Sequence, residues 1–187
     1  MDYTINVHGQ LMALSKPQVM GILNVTPDSF IEGSRMQNDQ SIAERANQIV
    51  AEGATMIDIG GCSTRPGSEP VSQTEEMQRL RMALAVVRRE RPHSVISVDT
   101  FRPDVARMAV EEFGADIIND VSEGSLEMYR MIARLRVPYI LMSVQPTLRD
   151  MLIAFSREVQ QLRDFGVKDI ILDPGFGFGK TVTQNYQ

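Results

Sequence analysis

Six short apolar runs, the amphipathic segments between them and a spacing of about 30 residues from run to run predict an α/β protein of the TIM (β/α)8 barrel class. The runs are QVMGILNVT (18–26), MIDIGG (56–61), SVISVDT (94–100), DIINDVS (116–122), YILMSV (139–144) and DIILDPG (169–175). They are rich in β-branched residues and nearly unbroken, as parallel strands covered on both faces should be. The alternative is an open doubly wound sheet, which carries a glycine-rich phosphate turn after its first strand. Here the first run ends in LNVTPDSF, with no glycine until Gly33. The barrel is therefore preferred.

Taken in order, INVHGQLMAL (5–14) reads as a β-hairpin turning at His8-Gly9-Gln10, placed to plug the N-terminal mouth of the barrel. Helix starts are marked by the capping boxes Ser41-x-x-Glu44 and Ser72-x-x-Glu75, by Pro103 in a first turn, and by Ser125 and Thr147 as caps. Gly114 and Gly166 stand where helices should stop. Residues 1–187 are expected to form a single domain, with 1–17 as the hairpin plug and 18–187 as the first six βα units. An eight-unit barrel needs two more strands with their helices, roughly 60–90 residues. The chain is thus expected to be about three quarters of a larger protein, incomplete at its C-terminal side.

Composition narrows the partners. At 187 residues with 43% hydrophobic and 23% charged content, the chain can build a core and shows no sign of disorder. Its net charge of -5 argues against nucleic acid. The basic cluster Arg79, Arg81, Arg88, Arg89 and Arg91 reads as a solvated helix face. No apolar run approaches the ~20 residues of a membrane span, and MDYTINVHGQ lacks a signal-peptide core, so a cytoplasmic location away from membranes is expected. A single cysteine, Cys62, fits a reducing compartment. The twelve methionines fall mostly at core spacing and read as packing.

The closing stretch DIILDPGFGFGKTVTQNYQ resembles a phosphate loop until it is counted. A P-loop ending at Gly179-Lys180-Thr181 needs glycine at 174, which is Pro174, and a dinucleotide fingerprint from Gly175 needs glycine at 180, which is Lys180. What remains is a strand delivering Asp173 to its C-terminal end. Barrel chemistry is built at such ends. The corresponding positions are Asn24, then Gly61-Cys62-Ser63-Thr64-Arg65, Asp99, Asn119, Ser143 and Asp173. Each also has a plain reading as a cap or turn residue, but two Asp and two Asn converging on one cavity suit a flat, nitrogen-rich heterocycle. Carboxylates accept from its N–H groups, and amides both donate and accept.

Absences narrow the reaction. His8 and His93 fall at the opposite mouth, leaving neither a zinc site nor a histidine base. Lysines occur at 16, 168 and 180, none inside a strand, so no Schiff-base lysine lies within these strands. Cys62 reads as a small strand-end residue without a histidine partner. The chemistry needs orientation and electrostatics, with no covalent intermediate.

The segments MGILNVTPDSF (20–30), GGCSTRPG (60–67), SVDT (97–100), INDV (118–121) and Asp173 to Thr181, in this order and spacing, resemble the dihydropteroate synthase family from about residue 5 to the end. LNVTPDSF and STRPG separate that family from the corrinoid-dependent methyltransferases with pterin-binding barrels; a non-catalytic pterin-binding homologue is the other alternative. The resemblance implies condensation of 6-hydroxymethyl-7,8-dihydropterin diphosphate with 4-aminobenzoate, giving 7,8-dihydropteroate and diphosphate in folate biosynthesis. It also implies a barrel that is a target of sulfonamides. It assigns Asp99, Asn119 and Asp173 to the pterin, with Thr64, Met142 and Phe178 beside them, and Thr64, Arg65 and Pro66 to the aminobenzoate loop. Asp99 and Arg65 would be the catalytic pair, and Asn24 would touch Mg²⁺ or the diphosphate.

The chain departs from the family pattern at Cys62, where Glu is usual, and at Ser143 and Gln184, where His is usual. The family's Ser-Arg-Lys on the seventh strand and Arg-x-His on the eighth are not among these residues. This stretch alone is therefore expected to be inactive. The parent protein is expected to be a homodimer through late helices.

Overall fold

A computed structural model describes residues 3–25, 35–62 and 71–186, with side chains in the second stretch from residue 38. It opens with a hairpin, β1 (Thr4–Val7) and β2 (Gln10–Ala13), in which Val7 pairs with Gln10. Only His8 and Gly9 lie between them, both at positive φ (50° and 80°). That is the backbone demanded by a tight two-residue hairpin turn, and Gln10 already belongs to the second strand.

Six parallel strands follow: β3 (Met20–Asn24), β4 (Met56–Gly60), β5 (Val95–Asp99), β6 (Ile117–Asp120), β7 (Tyr139–Met142) and β8 (Ile170–Asp173). Between them run α1 (Arg35–Ala51), α2 (Gln73–Glu90), α3 (Pro103–Phe113), α4 (Leu126–Leu135) and α5 (Leu148–Asp164), and the short α6 (Val182–Asn185) comes last. The sheet order is β3-β4-β5-β6-β7-β8. Every strand lies beside its sequence neighbour and the order never reverses, which is the winding of a barrel and not of a doubly wound sheet. All six expected strands are present, each one to four residues shorter than its apolar run.

Alternation along the strands divides the apolar residues between two sides. Leu23, Ile57, Ile59, Ile96, Val98, Ile118, Tyr139 and Leu141 pack with Leu80, Leu84, Val105, Met128, Ile132 and Phe155 from the helices, nearly all fully buried. Each such side chain contributes about 1.5–3 kcal/mol by leaving water. On the inner side Met56, Ile117 and Ile140 form a smaller cluster with Ile5 of the hairpin, joined by Met12, Leu14, Met20, Val95 and Ile171. The hairpin thus packs against the N-terminal ends of the strands through Ile5 and its apolar neighbours. It is pinned there by His8, whose Nε2 lies 2.5 Å from Asp116 Oδ1, while Arg88 reaches Asp116 Oδ2 at 2.8 Å.

Several local expectations need correction. Ser41 lies inside α1, which begins at Arg35, so it does not stand at the start of that helix. Ser72 does cap α2 by accepting from the Glu75 amide, but the Glu75 carboxylate turns forward to Arg79 rather than back to Ser72. The basic cluster is not uniformly solvated. Arg81 and Arg89 are exposed, whereas Arg79, Arg88 and Arg91 are half-buried, Arg88 donating to the carbonyls of Phe113, Ser94 and Gly114. Pro103, Ser125, Thr147 and Gly114 take their expected capping places, and Gly166, at φ 90°, follows the end of α5.

Candidate active site

Parallel register brings the strand ends into one row. Asn24 pairs with Gly60, Gly60 with Asp99, and Asp99 with Asn119, while Met142 pairs with Asp173 on the far side. Residues two apart share a face. Met20, Met56, Val95, Ile117, Ile140 and Ile171 line the apolar floor, so Asn24, Gly60, Asp99, Asn119, Met142 and Asp173 stand above them on the same inner side. Gly60 opens space in that row, since a Cβ there would lie 3.0 Å from Asn24 Oδ1 and 3.5 Å from Asp99 Oδ2.

Asp58, which sequence reasoning passed over, completes the set. It sits one layer below Gly60 on the inner face and is buried. Its Oδ2 accepts from Asn119 Nδ2 at 3.0 Å. That bond fixes which way the Asn119 amide faces. Among the described residues Asp58 Oδ1 and Asn119 Oδ1 have no hydrogen-bond partner. Buried polar atoms are normally paired, so two neighbouring orphans are what a recognition site retains for a ligand. The signal was available in MIDIGG: an aspartate four residues before Cys62 and in phase with Gly60, inside a strand whose other face is purely Ile.

Electrostatics concentrate on Asp99. Burial, and behind it the charges of Asp58, Asp120 and Glu76, push its pKa up to about 8. Burial likewise raises the Asp58 carboxyl, with Ser97 and Asn119 opposing. With its pKa near 8, the Asp99 carboxyl holds its proton near neutral pH when the site is empty, and a cation or hydrogen-bond donors brought to it would favour the ionised form.

Asp173 ends β8 with Oδ1 accepting from the Gly175 amide at 2.8 Å. The side chain is half-buried there. Met142 is fully buried beneath, and Phe178 is exposed on the loop above. Ser143 is buried just beyond β7, and Cys62 is half-buried beyond β4. Thr64, Arg65 and Pro66 lie outside the described residues. The ends of their segment are held, however: Arg79 donates to the Gly61 carbonyl at 3.1 Å and Arg102 to the Val71 carbonyl at 2.6 Å. Arg102 also pairs with the buried Glu76, which accepts from Thr100 Oγ1 at 2.8 Å.

No group of three or more His, Cys, Asp or Glu among the described residues could hold a metal ion. Asn24, a single amide oxygen at the mouth beside Asp99, fits a different arrangement. A hard cation such as Mg²⁺ dehydrates reluctantly and is usually held by substrate phosphates plus one or two protein oxygens. The described residues also contain no helix long and apolar enough to cross a membrane.

Comparison with known proteins agrees with this geometry. A family model described as pterin binding enzyme matches residues 20–187. A dihydropteroate synthase from Streptococcus pyogenes is 38% identical over 189 residues, covering 96% of this chain and 70% of that protein. The solved Xanthomonas albilineans dihydropteroate synthase with 4-aminobenzoic acid superposes with a TM-score of 0.90 at 33% identity, over 100% of this chain and 71% of its own. The dihydropteroate synthase of Clostridium difficile, solved in the presence of pteroic acid, gives 0.85 at 34% identity, over 92% and 69%. The ligands in those relatives are small molecules.

Proposed function

Because the chain belongs to the dihydropteroate synthase family, the transferases of folate synthesis, we propose that its barrel mouth seats the ring of 6-hydroxymethyl-7,8-dihydropterin diphosphate for attack by 4-aminobenzoate, giving 7,8-dihydropteroate and diphosphate. The observation that carries this reading is the row Asn24–Gly60–Asp99–Asn119 with Asp58 beneath it, whose orphaned oxygens face the inner side. In this reading the ring's N–H and amino groups donate to Asp173 Oδ2 and Asn119 Oδ1, charge-assisted where the acceptor is ionised. Asp58 holds Asn119 in the accepting orientation, and Met142 and Phe178 bound the ring.

Held in this way, the exocyclic methylene of the pterin points out of the mouth. Its C–O bond breaks with the electron pair leaving on diphosphate, and the positive charge that develops on carbon is stabilised by Asp99 and by the electron-rich ring. The aniline nitrogen of 4-aminobenzoate forms the new C–N bond and gives its proton to solvent. An arylamine is nucleophilic at neutral pH without a strong base. Thr64, Arg65 and Pro66 orient the aminobenzoate, Arg65 countering its carboxylate. When bound, Mg²⁺ neutralises the diphosphate leaving group, with Asn24 as its protein oxygen. The same reading takes two further βα units against the free edges of β3 and β8, where Ile22 and Leu172 are exposed. It also places a homodimeric protein in the cytoplasm.

The test is direct. In the full-length protein Asp173→Ala should abolish incorporation of labelled 4-aminobenzoate and weaken 6-hydroxymethylpterin binding about 100-fold, the scale of lost hydrogen bonds to a charged acceptor. Retained incorporation would remove Asp173 from the pterin site.

A further inference from the structure

Lys180, the cation that makes GFGFGK look like a phosphate loop, forms no ion pair among the described residues. Its Nζ donates to three backbone carbonyls, Ser143 at 2.8 Å, Gly175 at 3.2 Å and Phe178 at 3.5 Å. An ammonium has three N–H donors, and here all three are used inside the protein. The loop after β8 is thereby tied to itself at Gly175 and Phe178 and to the end of β7 at Ser143. The approach is close. Gly175 has φ 63°, and a Cβ there would fall 2.3 Å from the Ser143 carbonyl oxygen.

A second charge grips the same residue from the other side. Glu123, in the β6–α4 loop, takes φ 68°, a left-handed conformation unusual for a residue with a side chain. Its Oε1 accepts from Ser143 Oγ at 3.3 Å, from the Val144 amide at 3.0 Å and from Gln145 Nε2 at 3.0 Å. Lys180 and Glu123 therefore meet across Ser143, one on its carbonyl and one on its hydroxyl. Three successive loops are linked by this relay, and they follow Asn119, Met142 and Asp173, the three residues placed on the pterin.

We propose that Lys180 and Glu123 are positioning residues that, acting through Ser143, fix the wall of the pterin pocket formed by Asp173 and Phe178. The inference rests on the pterin reading of the site. Ser143 stands where the family usually carries His, and a small hydroxyl there lets Glu123 reach the Val144 amide as well. Neither charge touches the ring. Their effect is on where Asp173 Oδ2 and Phe178 stand when the ring arrives, and small misplacement of such groups is expensive in binding and rate.

Three variants of the full-length protein, Lys180→Met, Lys180→Arg and Glu123→Gln, carry the test by fluorescence titration with 6-hydroxymethylpterin. Lys180→Met should raise Kd about tenfold and leave the KM for 4-aminobenzoate within about twofold, because that substrate is bound on the β4 side. Lys180→Arg, which keeps the cation, should recover most of the affinity. Lys180→Met combined with Glu123→Gln should weaken binding less than the product of the single effects, since both act on one residue. Hydrogen exchange of the Gly175–Gly179 amides should quicken in Lys180→Met while β4 and β5 stay protected. If Lys180→Met does not fold, Glu123→Gln decides, and unchanged affinity and loop protection in that variant would overturn the proposal. Equal rises in Kd for pterin and KM for aminobenzoate would overturn it too. Failure of the wild-type protein to bind the pterin would instead strike the functional reading itself.

Discussion

The two ends of the strands are built to opposite rules. At the N-terminal end the inner face is an apolar layer covered by the hairpin, and the charged groups nearby are mutually paired, Asp116 taking His8, Arg88 and the Ile96 amide. At the C-terminal end the inner face carries Asn24, Asp99, Asn119 and Asp173, and among the described residues Asn119 Oδ1 and Asp58 Oδ1 beneath it are left open. The lower end spends its residues on stability. The upper end keeps unpaired acceptors and crowded carboxylates, which cost stability and are useful to a ligand.

The sharpest way to break this contrast is to damage each end and measure the other property. Ile117→Ala, in the fully buried lower layer, should cost about 2–5 kcal/mol in urea denaturation while leaving the pterin affinity of the folded fraction unchanged. A selective loss of affinity without loss of stability would dissolve the division.

At the upper end, Asp99→Asn should do the reverse, lowering activity while raising stability, and the gain should depend on pH. The folded-state pKa of about 8 lies above the ordinary 3.8. From about pH 4 upward the folded chain keeps a proton that the unfolded chain has released, so stability falls as pH rises toward 8 and is level above it. The melting-temperature advantage of Asp99→Asn should therefore widen between pH 5 and pH 8. A narrowing would show that the carboxylate is stabilised where it stands.

The smallest effect is expected where a charge is paired but wet. The His8 side chain is 60% exposed, and His8→Ala should cost about 1 kcal/mol or less by thermal unfolding. A larger loss would mean that the hairpin is held to the barrel by that pair more than by Ile5 and its apolar neighbours.

Much of this was legible in the sequence because burial on both faces leaves little freedom. A strand such as MIDIG must be apolar toward the helices, so its position and those of its neighbours stand out. Asn24, Asp99, Asn119 and Asp173 were visible for the same reason, as polar residues terminating apolar runs. Asp58 was missed because it lies in mid-strand, where a run scanned as a whole hides the alternation of faces. Glu123 and Lys180 were opaque for another reason. Each reaches into another loop 20 or more residues away, Glu123 to residues 143–145 and Lys180 to the Ser143 carbonyl, and no local pattern records such a contact. The start of α1 was misplaced because Ser41 has a capping-box partner in Glu44, yet the helix continues through it from Arg35.

Gly60 has a consequence for how this site can change over generations. Every single-base change from a glycine codon that alters the residue without ending the chain adds at least a Cβ, and even alanine would set that carbon 3.0 Å from Asn24 Oδ1. Inheritance at this point is thus confined to steps that crowd Asn24 on one side and Asp99 on the other.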